Sequence, residues 1–315
     1  MILTITMNPA IDKIYMVDNY QLGEVHRPSQ TIASPGGKGL NVARVAKLVG
    51  ADVAASGLLG GANGDYIRTK VEALGIESRF VTINGDTRIC INVSDPINQR
   101  STEVLEAGPT ISQDEAKTFL KAYEGMLQDV SVVTLSGSLP KGLPTDFYAK
   151  LIHIAKEQGK KVLLDTSSKA FTEGIQATPY MIKPNADEIK DVYHGDVATE
   201  EGLAQAIKCF KQMGIEVPII SRGKKGCIAG LEDGVYTFTN PSVDVVNTVG
   251  SGDSFVAGCA VGLSRGYSQI DMVKIGIACG TTNTLFSQTG YVEQALVDGY
   301  FKQVKVIKQD NYEDS

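Results

Sequence analysis

The sequence predicts an α/β fold, a doubly wound and mostly parallel sheet with a small antiparallel β lid. Three observations predict it. From residue 112 onward, short apolar runs alternate with amphipathic helical runs, the rhythm of βαβ units. Two glycine-rich turns, after Pro35 and after Val249, each open an apolar helix. Two extended stretches, at about 12–34 and 87–106, fall outside the rhythm and read as a separate small sheet. The whole chain, 1–315, reads as a single domain.

The elements follow in order. Ile2, Thr4 and Thr6 alternate with Leu3, Ile5 and Met7 up to Asn8-Pro9, a strand stopped by a turn. Residues 13–20 and 27–34 are extended. After the first glycine turn, Val42, Val45, Ala46 and Val49 recur at helical spacing, and Gly50 closes the helix. A buried strand is expected over 51–59. A helix over 65–74 has Ile67, Val71 and Leu74 on one face and ends at Gly75. Over 87–94 the alternation is strict: Arg88, Cys90 and Asn92 face one way, Ile89, Ile91 and Val93 the other. Residues 101–106 are its hairpin partner. Ser112 and Glu115 form a capping box before Ala116, Phe119, Tyr123 and Leu127. Strands at 130–135, Lys161–Asp165, 180–183 and Val217–Ser221 alternate with helices near 145–158 and 200–213. Helices near 252–265 and 270–287 complete the pattern, and the acidic tail at 310–315 is expected to fray.

Composition narrows the function. A net charge of −6 argues against broad nucleic-acid binding. It also requires any site for phosphorylated ligands to concentrate its cations locally. The five cysteines, Cys90, Cys209, Cys227, Cys259 and Cys279, form no C-x-x-C pair and read as reduced thiols of a cytoplasmic protein. No signal peptide or membrane-length apolar run is visible. His26, His153 and His194 are scattered, which offers neither a metal-ligand spacing nor a histidine mechanism.

The chemistry sits in the glycine turns. A helix N-terminus has unpaired N–H groups and a positive dipole end, and glycine lets an anion approach the backbone. Gly250, Ser251 and Gly252 would hold a phosphoryl group in this way. The carboxylate of Asp253 would repel that anion. Its presence makes sense if it takes a proton from a hydroxyl that attacks a phosphate. Lys38 adds a mobile cation to the first turn. Neither turn fits the Walker A or the dinucleotide-binding pattern.

GGKGLNVA at 36–43 and NTVGSGDSFVAG at 247–258, with KPNADE at 183–188 between them, resemble the signatures of the ribokinase-like (PfkB) carbohydrate kinases. The resemblance runs from residue 1 to about 306. It implies ATP and Mg2+ as cofactors and a sugar hydroxyl as acceptor. It implies that Asn185 and Glu188 help place magnesium, Glu188 through water, and that Lys183, Ser221, Gly223, Gly226, Asn247, Asn283 and Ser287 lie around the nucleotide. Arg222 stands where the family commonly has a small or apolar residue, and Ser251 where it commonly has alanine. Asp12, Gly37 and Asn41 would hold sugar hydroxyls, with Ser138 nearby. Lys38, Arg88 and Arg27 are cations for a phosphate already on the acceptor, which favours a sugar phosphate over a free sugar.

Within the family, PGGK at 35–38, TRIC at 87–90, SGSLP at 136–140 and QTGYV at 288–292 are similar to the branch of tagatose-6-phosphate and 1-phosphofructokinases. Cys90 and the QTGYV run lean toward the tagatose enzymes. The implied reaction is phosphorylation of a ketohexose monophosphate, tagatose 6-phosphate or, alternatively, fructose 1-phosphate. A sensor that keeps the fold without catalysis would lack Asp253. A vitamin or nucleoside kinase would have no use for Lys38 and Arg88. The exposed apolar face of the lid, with Ile89, Ile91 and Val93, is expected to pair with a second copy in a homodimer.

Overall fold

The computed structural model of the chain describes residues 1–309; the tail at 310–315 lies outside the described residues. Strand β1 (Ile2–Thr6) is followed by β2 (Ala10–Met16) and β3 (Gln30–Gly36) of the lid. Helix α1 (Lys38–Leu48), β4 (Val53–Leu59) and α2 (Gly61–Ala73) return to the main body, with two short strands, β5 (Glu77–Ser78) and β6 (Val81–Thr82). Strands β7 (Arg88–Asp95) and β8 (Arg100–Leu105) complete the lid. Then come α3 (Gln113–Met126), β9 (Val132–Ser136), α4 (Phe147–Glu157), β10 (Lys161–Asp165), α5 (Ser168–Gln176), β11 (Met181–Ile182), α6 (Glu200–Gln212) and β12 (Val217–Ser221). The last part holds β13 (Cys227–Leu231), β14 (Gly234–Thr239), α7 (Ser251–Ser264), α8 (Gln269–Asn283), α9 (Gln294–Phe301) and β15 (Lys305–Lys308).

The main sheet has eleven strands in the order β15-β14-β13-β12-β11-β10-β9-β1-β4-β5, with β6 also on β4. From β12 to β5 the pairs are parallel; β13, β14 and β15 extend the sheet antiparallel. One face of the sheet is covered by α1, α2, α7, α8 and α9 and the other by α3, α4, α5 and α6, each with its own buried apolar cluster. On the second face Phe119, Tyr123, Phe147 and Tyr148 are fully buried, each burial worth roughly 1.5–3 kcal/mol. The Ser112–Glu115 capping box forms as the sequence predicts.

The lid is a four-stranded sheet in the order β3-β2-β7-β8. Its outer pairs run antiparallel and its central pair, β2 with β7, runs parallel.

The structure corrects several expectations. The strand expected over 180–183 is only Met181–Ile182, because Pro184 follows and Lys183 already leaves the sheet. The helix expected to reach 287 stops at Asn283, leaving Ser287 in a turn. Strand β3 runs on into Pro35-Gly36, so the first glycine turn begins as the end of a lid strand. The antiparallel edge β13–β15 and the helices α5 and α9 were not foreseen.

Candidate active site

The N-termini of α1 and α7 pack side by side beyond the C-terminal ends of the parallel strands, where doubly wound sheets bind ligands. Gly250 caps α7 with φ 81, a left-handed conformation suited to glycine. The Ser251 amide donates to the Thr248 carbonyl, and the next capping bond is from the Ser254 amide to the Gly250 carbonyl. Among the described residues no acceptor serves the amides of Gly252 and Asp253, so the helix end keeps its capacity to bind an anion.

Asp253 follows within the first turn and is buried. The Asn41 amide Nδ2 donates to its Oδ2 at 2.9 Å. Burial and the neighbouring Asp165 push the Asp253 carboxyl up to about 6, against the pull of Lys38, Asn41 and Lys183. A carboxylate with such a value is ionised at neutral pH yet basic enough to accept a proton.

Beneath it lies a charge cluster. Asp165, at the buried end of β10, faces two ammonium groups, Lys38 Nζ at 3.3 Å and Lys183 Nζ at 3.4 Å. Burial alone would raise Asp165, but the two lysines outweigh it and hold the carboxyl below its usual range. Asp165 in turn raises Lys38, with smaller contributions from Asp253 and Glu188. Lys183 also approaches the α7 turn, where a Cβ added at Gly252 would lie 3.4 Å from its Nζ. The sequence reading missed Asp165; a carboxylate ending a buried strand was its only signal.

On the acceptor side, Asp12 pairs with Ser34 and Cys90 across β3, β2 and β7. Any side chain at Gly36 would start 2.1 Å from its carboxyl group. Among the described residues no donor bonds Asp12, and burial raises it to about 6 despite Arg88 and Arg44 nearby. A pair of sugar hydroxyls would satisfy it. Arg88 is already anchored: Nε and Nη2 donate to the Asn8 carbonyl at 3.3 and 3.0 Å, and Nη1 donates to the Glu106 carbonyl at 3.0 Å. Cys90 is half-buried, and burial raises its thiol. Gly37 caps α1 with φ 105. Ser138 is exposed and follows Gly137, whose added Cβ would lie 3.7 Å from Lys38 Cβ. Arg27 is exposed in the β2–β3 connection, and among the described residues no hydrogen bond or ion pair holds it near the cluster.

On the nucleotide side, Asn185 Oδ1 accepts from the Asp187 and Glu188 amides, and Glu188 Oε2 accepts from the Asn185 amide at 2.9 Å. This is a reciprocal helix start, and it leaves the second Glu188 oxygen without a hydrogen-bond partner among the described residues. Asn185 also bridges Ser221, whose hydroxyl donates to the Pro184 carbonyl at 3.3 Å, so the two loops lie together. Gly223 and Gly226 have φ 56 and 88. Arg222 turns away to Glu200 at the start of α6, 2.6 Å from its carboxylate. Asn247 Nδ2 donates to the Ser287 carbonyl at 3.0 Å. Asn283 is fully buried: it donates to the Val249 carbonyl and accepts from Ser254, Gly290 and Tyr291, tying the α7 turn to the 288–292 run. Among the described residues no group of three or more His, Cys, Asp or Glu could cage a metal. A magnesium ion that keeps most of its water and binds phosphate oxygens needs only a nearby carboxylate, and Glu188 fits that role.

The sequence model of the pfkB family of carbohydrate kinases matches residues 5–295. The chain belongs to that family. Tagatose-6-phosphate kinases of two Staphylococcus epidermidis strains are 41% and 40% identical to it over 311 residues, spanning 98% of this chain and 100% of each relative. Phosphofructokinase-2 from Escherichia coli, solved in complex with fructose 6-phosphate, superposes with a TM-score of 0.87 at 21% identity, covering 96% of this chain and 98% of that one, a likeness of fold. As a pfkB-family carbohydrate kinase the protein is an ATP-dependent phosphotransferase, and kinases of this family generally use ATP with Mg2+. Among the described residues no helix is long and apolar enough to cross a membrane.

Proposed function

We propose that this kinase phosphorylates a ketohexose monophosphate, converting tagatose 6-phosphate to tagatose 1,6-bisphosphate. The observation that carries the reading is the buried Asp253 carboxylate, held by Asn41, at the anion-binding end of α7 and beside Lys38 and Lys183. The 41% identity to a tagatose-6-phosphate kinase supports the choice of sugar. In this mechanism Asp253 takes the proton of the attacking hydroxyl. The hydroxyl oxygen forms its bond to the γ-phosphorus as the bond to the β-phosphate oxygen breaks. The Gly252 and Asp253 amides and the two lysines face the charge on the transferring group. Asp12 orients the sugar hydroxyls, and Arg88 faces the phosphate the sugar already carries. Bound near Glu188, magnesium would neutralise charge on the nucleotide phosphates.

ADP release measured across tagatose 6-phosphate, fructose 1-phosphate, fructose 6-phosphate and the free sugars tests the substrate. The highest kcat/KM is expected with tagatose 6-phosphate; a higher value with fructose 1-phosphate would reassign the sugar. Asp253→Asn is expected to lower kcat by about 10²–10⁴-fold with ATP binding retained. Retention of more than a tenth of the wild-type kcat would remove Asp253 from this role. We further propose that a second copy of the chain covers the lid, where Val104 and Leu105 are 59% and 60% exposed.

A further inference from the structure

Arg44 has entered so far only as a charge near Asp12, which it does not hydrogen-bond and whose carboxyl it draws down. It lies on α1, three residues after Asn41, and is 7% exposed. Its Nη1 donates to Asn41 Oδ1 at 3.1 Å and to the Thr289 carbonyl at 3.0 Å, and its Nη2 donates to the Pro35 carbonyl at 2.6 Å. Among the described residues no carboxylate is hydrogen-bonded to it. Burying a guanidinium without a bonded counter-ion is unfavourable, and the fold still places one a single side chain away from the Asp253 carboxylate.

We infer that Arg44 is a positioning residue for Asp253, acting through the side-chain amide of Asn41; this rests on the reading of Asp253 as the base. An Asn amide has one accepting end and one donating end, a guanidinium only donates, and an ionised carboxylate only accepts. Between Arg44 and Asp253 a single amide orientation therefore satisfies both neighbours: oxygen toward Arg44, nitrogen toward Asp253. In that orientation Asn41 donates to the ionised base. Without Arg44 the amide can turn over and present its oxygen to the carboxyl group. That contact repels an ionised Asp253 and welcomes a protonated one, which cannot act as a base. The other charges facing Asp253 are Asp165 at the end of β10, Lys38 on α1 and Lys183 after β11, and they are untouched by a change at Arg44. Arg44 also joins the end of lid strand β3, through Pro35, to the 288–292 run, through Thr289. A Cβ at Gly290 would come within 2.9 Å of Nη1, so that glycine leaves room for the contact.

The pH profile of kcat with both substrates saturating reports groups of the substrate complex and tests this directly. The acid limb of Arg44→Met is expected to move up by about one pH unit, a tenfold loss of ionised base below the limb. Arg44→Lys, whose ammonium also only donates, is expected to keep the limb close to that of the wild type. In an Asn41→Leu background Arg44→Met is expected to cause no further shift, because the amide that transmits the effect is gone. An unmoved limb in Arg44→Met overturns the inference. So does a shift that persists in the Asn41→Leu background, since it would be the direct effect of a lost charge. Should Arg44→Met fail to show a cooperative thermal melt, Arg44→Gln carries the test. Its amide can offer either end to Asn41, so it too should raise the limb, and an unmoved limb there overturns the inference. If Asp253→Asn turns over normally, the base assignment itself fails; if it is inactive and the limb stays put in the Arg44 variants, the inference alone fails.

Discussion

Asp12 and Asp253 both have carboxyl groups raised to about 6, chiefly by burial. In the proposed mechanism their ionised forms are the useful ones, Asp12 to accept hydroxyl donors and Asp253 to accept a proton. The kcat/KM for the sugar phosphate is therefore expected to rise with pH up to about 6 and level off above it. Folding responds with the opposite sign. A carboxyl raised in the fold is held more favourably when protonated, so each group lowers stability as pH climbs from its ordinary value toward the raised one. Asp253→Asn should accordingly increase the melting temperature at pH 8 by the equivalent of roughly 1–3 kcal/mol, and this gain should vanish near pH 4. Arg88 presents a different balance, because its guanidinium also ties Asn8 to Glu106. Arg88→Ala is expected to lower kcat/KM by about 10–100-fold and to lower the melting temperature. A loss as large on free sugar as on sugar phosphate would assign the whole effect to the lid anchor. The candidate residues that the structure brings together, Lys38, Asn41 and Asp253, were legible because they stand in two glycine-rich motifs. Asp165 and Arg44 were not. Each is a single charged residue in an apolar run, and Lys38 for Asp165 and Thr289 for Arg44 lie far away in the chain.

At the scale of elements, the α7 turn depends on a backbone conformation that a side chain would strain. A Cβ at Gly250 would lie 2.7 Å from Thr289 Cγ2 and 3.1 Å from the Gly290 amide nitrogen. Gly250→Ala is expected to raise the KM for ATP by tenfold or more in steady-state assays, through a strain of about 1–3 kcal/mol. The α3 cap offers a contrast, because it lies on the opposite face of the sheet. Ser112→Ala should cost about 1 kcal/mol in denaturant titration and leave turnover unchanged. Elements with a strong local signal, such as the capping box and the buried strands Lys161–Asp165 and Val217–Ser221, were legible. The edge strands β13–β15 were not. Alternation of strand and helix predicts parallel crossovers, whereas these strands turn back on one another and are fixed by their pairing.

For the whole molecule, the lid is the feature with the widest effect: Ile89, Ile91 and Val93, expected to be exposed, are half-buried, with Ile89 packed against the main core, and Val104 and Leu105 are the exposed apolar residues of β8. Val104 pairs with Ile91 in register, so their side chains share one face of the lid. If the proposed dimer forms through this face, the wild type sediments as a dimer and Val104→Lys is expected to sediment as a monomer. A wild type that sediments as a monomer, or a variant that stays a dimer, overturns the lid contact. The division into a main sheet and a lid was legible because the lid strands interrupt the alternation. The parallel pairing of β2 with β7 was not, because no local signal links strands so far apart.

The two ends of the Asn41–Asp253 hydrogen bond are 212 residues apart. Helix α1, near the start of the chain, packs against α7, near its end, and the strands between them fill the sheet. Closing such a loop delays the contact until most of the intervening chain is ordered, the condition that makes folding slow. During synthesis, the first two-thirds can form most of the parallel sheet, but α1 has no α7 to pack against. The apolar side of α1 then waits exposed for a helix not yet made. Chaperone demand should accordingly concentrate on this face of the nascent chain, and catalytic competence should arrive abruptly, late in translation, rather than by degrees.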